Sequence, residues 1–396
     1  MQNALRQACR EVPTPAYIFS AQAFAERAEM VKEAFGEDTG ICYSIKANPF
    51  LLAVLPDAFS KIEVCSPGEL EICRALHIDP LKIIFSGVNK SQHEVDVAMD
   101  YGVRILTAES ENHLKFISRA ASERGVTAEV LVRLSCESQF GMDKSDVFRL
   151  IADRSSYPGT DIKGIHYFTG TQKSRPKEII KEIARLGKLL DELEAELGFR
   201  AERVEYGTGL AVDYFAGDAD EKEKARLGEI SGCIREFSQR VQLTVEMGRF
   251  FAAPCGWYVT TAVDTKFNDG AHYAILDGGL HQMKYDGQIQ GMQIPVITHI
   301  GSAGSDAEEE KWTLCGSLCT TADVIARGAA FTGLSEGDRL VFHRTGAYSV
   351  YEGFSMFLSR DLPGIFMLDK DGRLHLMRSR IETAQFNQPE DLTEWL

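Results

Sequence analysis

With 396 residues, the chain is long enough for two domains, or for one large barrel with an addition. A hydrophobic content of 44% and a charged content of 26% are those of a soluble globular enzyme. The net charge of -15 argues against nucleic acid and anionic membrane surfaces as partners, so an anionic ligand would need a local positive site.

No apolar run reaches membrane-spanning length, and the first residues, MQNALRQACREVPT, lack the apolar core of a secretion signal. The nine cysteines are scattered and form no Cys-x-x-Cys. Cys315 and Cys319 lack partners at zinc-site spacing, so no metal is expected. This pattern reads as free thiols in a reducing cytoplasm.

In chain order, 14–19 reads as a short strand. Ser20 can cap the helix that follows, with Phe24, Ala28, Val31 and Phe35 on one face and a stop at Gly36. Eight strand-like runs come next, at 41–47, 61–66, 81–87, 103–108, 128–135, 162–170, 203–209 and 242–248. The clearest helix between them runs from Pro176 to Leu197, with Ile179, Ile180, Ile183, Leu186, Leu190, Leu193 and Leu197 on one face and Gly198 as its stop. Eight strands alternating with helices predict an α/β fold, a (β/α)8 TIM barrel. A doubly wound sheet would want Gly-x-Gly-x-x-Gly after the first strand, which is absent.

Beyond Ala253 the rhythm changes to short runs at 256–266, 272–276, 339–343 and 355–358, broken by turn residues, which predicts a mostly β second domain. The acidic stretch 306–311 reads as a solvated loop. The expected division is a barrel over 20–253 and a β-rich domain over 254–396 completed by residues 1–19.

In such barrels the chemistry sits at the carboxyl ends of the strands. Lys46 ends the first run, where lost hydration turns an ammonium into a nucleophilic amine that forms Schiff bases with aldehydes, pyridoxal phosphate included. Gly207, Thr208 and Gly209 end the seventh, where backbone N–H groups can approach an anion closely. Glu246, Met247, Gly248 and Arg249 end the eighth, pairing a carboxylate with a guanidinium suited to phosphate. The sixth ends in His166, Tyr167, Phe168, Thr169, Gly170 and Thr171. Each feature alone also fits an ordinary structural role, a strand-end salt bridge or core aromatics before a turn. Their joint fall on one rim carries the reading.

These residues resemble the fold-type III pyridoxal-phosphate decarboxylases, the ornithine and diaminopimelate decarboxylase family. The matching stretches are 43–48 (YSIKAN), 65–69 (CSPGE), 139–141 (QFG), 164–170 (GIHYFTG), 246–249 (EMGR), 319–323 (CTTAD) and 346–348 (GAY). The resemblance implies an alanine-racemase-like barrel that binds pyridoxal 5'-phosphate. It makes Lys46 the Schiff-base lysine and sets Glu246 against the pyridine nitrogen. Arg249, Gly207, Thr208, Gly209, Thr171 and Tyr348 would hold the phosphate, and Glu63, Phe168 and Gly248 would line the cofactor. Cys319 would reach the active site of a partner subunit and protonate the substrate's Cα after loss of CO2. That implies a head-to-tail homodimer with shared sites between barrel and β-domain. Thr320, Asp323 and Tyr285 would face the substrate.

Three departures bear on specificity. Phe168 stands where the family has a histidine stacked on the cofactor ring; a phenyl ring still stacks but cannot titrate. Glu-Met-Gly-Arg replaces Glu-Pro-Gly-Arg. Thr320 replaces the acidic residue that receives a distal ammonium, and Tyr285 stands about where diaminopimelate decarboxylases place an arginine. The expected substrate is therefore an amino acid whose distal group is an amide, a conjugated carboxylate or a carrier tether. A racemase on the same barrel is the nearest alternative, although racemases of this fold favour arginine at the ring nitrogen. A non-catalytic regulator derived from a decarboxylase is the second.

Overall fold

A computed structural model describes residues 2–301 and 308–389. Strand β1 (Ala16–Ser20) leads into the helix Ala21–Phe35. Ser20 Oγ accepts the Ala23 N–H at 3.2 Å, satisfying a first-turn donor, and Gly36 ends the helix at φ +82°.

The chain divides into two compact units. The first comprises 25–212 and 220–251 and contains a closed barrel of eight parallel strands. They are β2 (Gly40–Ser44), β3 (Lys61–Val64), β4 (Ile83–Phe85), β5 (Ile105–Ala108), β6 (Ala128–Leu134), β7 (Thr160–Phe168), β8 (Arg203–Gly207) and β9 (Gln242–Met247). β2 pairs with both β3 and β9, which closes the ring. Cys42, Ile84, Ile105 and Leu131 fill part of its interior. Closure leaves no edge strand and buries both faces, so these strands read as apolar runs rather than as alternating ones.

Several strands end before the predicted runs do: β4 stops before Ser86 and Gly87, β7 before Thr169 and Gly170, β8 before Thr208 and β9 before Gly248. The run at 41–47 ends at Ser44; Ile45–Ala47 coil into a 3-10 turn closed by Asn48 N–H on Ile45 O at 2.9 Å, with Pro49 unable to extend a ladder. The helix Pro176–Leu197 has the predicted bounds, with Gly198 left-handed at its end. It buries Ile179, Ile183, Leu186, Leu189, Leu190 and Leu193, while Ile180 lies outward at 39% exposure. One residue is a 100° turn, which takes Ile180 off the stripe.

Among the described residues the second unit comprises 2–24, 213–219, 252–301 and 308–389. The excursion 213–219 belongs to it because the rings of Tyr214 and Phe215 pack on Tyr285 at 5.5 and 5.6 Å between centroids. Its remaining strands are β10 (Gly256–Asn268), β11 (Ala271–Leu276), β12 (Ile297–Ile300), β13 (Glu309–Cys315), β14 (Val324–Thr332), β15 (Arg339–His343), β16 (Gly364–Leu368) and β17 (Leu374–Arg378). The sheet runs β14-β13-β11-β10-β1-β16-β17, with β15 joining β10 and β12. β1 is thus an interior strand between β10 and β16.

Sequence reading missed the helix Gln2–Glu11, whose Ala8 and Cys9 pack with Val12, Ile18, Trp257 and Val259. The spacing of Ala4, Leu5, Ala8, Cys9 and Val12 carried the signal. The stretch 355–358 is no strand: Leu358 and Ser359 have φ of +58° and +49°, which an extended ladder excludes. Of the acidic stretch 306–311, Glu309, Glu310 and Lys311 open β13 rather than a loop, while residues 306 and 307 lie outside the described residues. No helix among the described residues is long and apolar enough to cross a membrane.

Candidate active site

Lys46 stands in the 3-10 turn just past β2. Its Nζ is ion-paired with Glu63 of β3 and lies 3.5 Å from Glu246 Oε1, near the end of β9. Cys65 Sγ is 3.6 Å from the same nitrogen and donates to Glu63 Oε1 at 3.2 Å. Parallel pairing explains the convergence, since Ser44 is opposite Glu63 on one side and Cys42 opposite Glu246 on the other. The Lys46 side chain is 38% exposed, whereas those of Glu63 and Glu246 are 5% and 9% exposed. The amine is reachable from solvent while its counter-ions are desolvated.

Glu246 is held on three sides. Ser44 Oγ donates to Oε1 at 2.8 Å, His166 Nε2 lies 3.2 Å from Oε2, and Lys46 faces Oε1. Burial opposes its charge, but Lys46 and His166 outweigh that and hold the carboxyl well below the usual carboxylate range. Glu205 of β8 behaves oppositely. It is completely buried, and burial followed by repulsion from Glu246 and Glu63 pushes its carboxyl well above the usual range. Two interacting carboxyls thus divide into one charged and one neutral group. Sequence reading passed over Ser44, His166 as a partner of Glu246, and Glu205. Strand alternation offered the signal, because His166 shares a face with Phe168, and Glu205 with Gly207.

The loops after β7 and β8 are laced together. Lys173 N–H donates to Gly209 O at 2.8 Å, and Ala211 N–H to Lys173 O at 3.1 Å. The Gln172 amide bridges both backbone groups of Val212, at 3.3 and 2.9 Å. Gly209 has φ +61°, and a Cβ there would stand 1.9 Å from Gly170 O. A Cβ at Gly207 would stand 2.5 Å from the Phe168 ring. Both positions therefore exclude side chains. Thr208 is buried and accepts the Leu210 N–H at 3.2 Å, while Thr171 is exposed. Gly248 sits so close to Ala47 that a Cβ would come within 2.9 Å of that side chain, and Arg249 opens the short helix after β9.

In the β unit, Cys319 is exposed and so is Thr320, whose Oγ1 accepts the Ala322 N–H at 3.2 Å. Asp323 is buried, and its two oxygens accept the N–H groups of Leu280 and Leu318 at 2.8 and 2.9 Å. It fastens two loops of its own unit. Tyr285 is a core tyrosine, 2% exposed, donating to His343 O at 2.6 Å. Tyr348 holds a left-handed φ of +62° between buried neighbours.

Residues 21–253 match the family model described as the pyridoxal-dependent decarboxylase, pyridoxal binding domain. The chain belongs to the pyridoxal-dependent decarboxylases. It is 27% identical to the L-glutamyl-[BtrI acyl-carrier protein] decarboxylase of Niallia circulans, over 93% of this chain and 91% of that one. It is 28% identical to the diaminopimelate decarboxylase of Vibrio cholerae, over 97% and 94%. The crystal structure of a diaminopimelate decarboxylase from M. jannaschii shares the fold at a TM-score of 0.84 and 23% identity, covering 98% of this chain and 95% of that one. As a member of this family the chain is a carboxy-lyase that uses pyridoxal 5'-phosphate.

The barrel mouth fits that cofactor. It offers a reachable amine for the aldehyde and, at the end of the adjacent strand β9, an ionised carboxylate that could face the protonated ring nitrogen once Lys46 turns from Glu246 to the aldehyde. An aromatic face, Phe168, adjoins a pair of glycines where only backbone can stand.

Proposed function

We propose that the chain removes the α-carboxyl group of an amino acid whose distal end is carried as a neutral conjugate. The observation that carries the decarboxylation chemistry is a lysine amine in contact with a carboxylate that the fold keeps ionised. Lys46 would hold the cofactor through Nζ. Glu246 would keep the ring nitrogen protonated, steadied by Ser44 and His166. When bound, the cofactor supplies an electron sink for the pair left behind as the carboxylate departs as CO2. Phe168 would lie against the ring, and Glu63 would neutralise the Lys46 ammonium whenever that amine is free. The amides of Gly207, Thr208 and Gly209, with Thr171, Gly248, Arg249 and Tyr348, would hold the phosphate.

Cys319 would deliver the proton to Cα in the site of a second copy, in a head-to-tail homodimer. Its exposure within its own chain agrees with that role. Thr320 supports a conjugated substrate: a hydroxyl stands where an acidic side chain would attract a distal ammonium. The name of the Niallia circulans relative, a glutamyl carrier-protein decarboxylase, supports the same choice. Nine free thiols accord with a cytoplasmic setting.

Borohydride treatment of the yellow holoenzyme, then peptide mass mapping, is expected to place the added mass on the peptide containing Lys46. Label on any other lysine would remove Lys46 from its role. Free glutamate, lysine, ornithine and diaminopimelate should release CO2 slowly beside glutamyl thioesters or amides of a carrier, with products identified by mass. Faster release from a free diamino acid would overturn the substrate reading.

A further inference from the structure

The helix Pro176–Leu197 carries one acidic side chain that does not face water. Glu182 is 13% exposed in its side chain, and three groups converge on its carboxylate. Thr169 Oγ1 donates to Oε1 at 2.5 Å. The Tyr206 hydroxyl donates to Oε2 at 2.6 Å, and Lys173 Nζ pairs with Oε2 at 2.7 Å.

These partners are not scattered. Thr169 and Lys173 flank Gly170 and Thr171 in the loop after β7, and Tyr206 immediately precedes Gly207 at the end of β8. One carboxylate thus fastens both banks of the cradle that Gly207, Thr208 and Gly209 form with Thr171. The backbone bonds from Lys173 to Gly209 and from Ala211 to Lys173 transmit that hold across the gap. Lys173 is a buried cation, its side chain 9% exposed, so its counter-ion fixes where the loop can sit. Charge-assisted bonds of this kind are short and directional, which suits them to placing backbone amides at one spacing.

We propose that Glu182 is a positioning residue that shapes the cradle from behind, setting affinity for the phosphate ester of the cofactor without touching it. The proposal rests on the reading of 169–171 and 207–209 as the phosphate-holding segments. It assigns the helix a part in ligand selection that its amphipathic pattern does not announce.

The experiment titrates apoenzyme with pyridoxal phosphate and, separately, with pyridoxal, which has the aldehyde and ring but no phosphate. Absorbance reports binding, and circular dichroism reports folding. Glu182→Gln is expected to weaken pyridoxal phosphate by about tenfold or more, the equivalent of one misplaced charge-assisted bond, with pyridoxal within about twofold of wild type. Inorganic phosphate, used as a competitor, should lose affinity in parallel. Equal weakening of both ligands, or no weakening of either, overturns the proposal.

Should Glu182→Gln fail to fold, Tyr206→Phe and Thr169→Val each remove one donor while leaving the Glu182–Lys173 pair. Each is expected to lower the preference for the phosphorylated ligand by about threefold, a fraction of a neutral hydrogen bond. An unchanged preference in both counts against the proposal. If wild type itself binds the two ligands equally, the phosphate reading falls first and takes this role with it, an outcome distinct from a silent Glu182→Gln.

Discussion

The barrel and the β unit both contain residues that motif resemblance assigns to one site, yet they use them differently. In the barrel, Lys46, Glu63, His166 and Glu246 come from four strands or strand ends and turn their polar atoms on one another. Parallel strands in fixed register bring distant positions to the same height, so convergence there is a property of the topology. In the β unit, Asp323 and Tyr285 spend their polar atoms on backbone groups of their own fold, while Cys319 and Thr320 stay exposed. A motif therefore contains two kinds of position: those whose polar atoms stay exposed or face other ionisable groups, and those that spend them on the backbone of their own loops.

The largest expected effect tests the barrel side. Lys46→Ala should lower turnover by about three orders of magnitude or more and abolish the visible absorbance band, since no other residue replaces a covalent amine. A retained band at equal cofactor occupancy would break the contrast at its strongest point.

Asp323→Ala asks whether that residue belongs to the fold or to the substrate. Leaving one buried and one part-buried N–H group without an acceptor should cost about 3 kcal/mol in denaturant unfolding. The exposed neighbour change Thr320→Val should stay within about 0.5 kcal/mol. A raised KM with intact stability in Asp323→Ala would return it to the substrate.

Cys319→Ala sharpens the other half of the β unit. We expect normal cofactor binding and stability with turnover slowed by roughly tenfold to a hundredfold, or misprotonated product seen by deuterium incorporation. Unchanged product formation would remove Cys319 from the chemistry.

The last prediction concerns pH. Glu205 has a raised pKa in the fold, so its contribution to stability is complete below the unfolded carboxyl value of about 4.3 and is lost as pH rises through its folded value. Glu205→Gln removes that loss. The unfolding midpoint of the apo variant should gain on wild type with increasing pH, by about 1.4 kcal/mol for each unit of upward displacement. A constant gap from pH 5 to 9 would mean that Glu205 is ionised like Glu246.

Much of this was legible before any coordinates. The order of eight apolar runs and the caps at Ser20 and Gly198 follow from local chemistry, as does the β-rich remainder. The N-terminal helix was missed although its periodicity was present, because short helices draw their stability from packing against a sheet that the sequence does not display.

Residue types and their order by themselves determined that Lys46, Gly207, Glu246 and Arg249 would stand at or just past strand ends of one barrel. That follows because strand ends in a parallel barrel all point the same way. Only the tertiary structure decided which carboxyl stays charged. Glu246 and Glu205 are the same residue type on adjacent strands, and their opposite behaviour comes from Lys46, Ser44 and His166 reaching one and burial closing over the other. Electrostatic identity depends on three-dimensional neighbours, and so it could not be read from a line of letters.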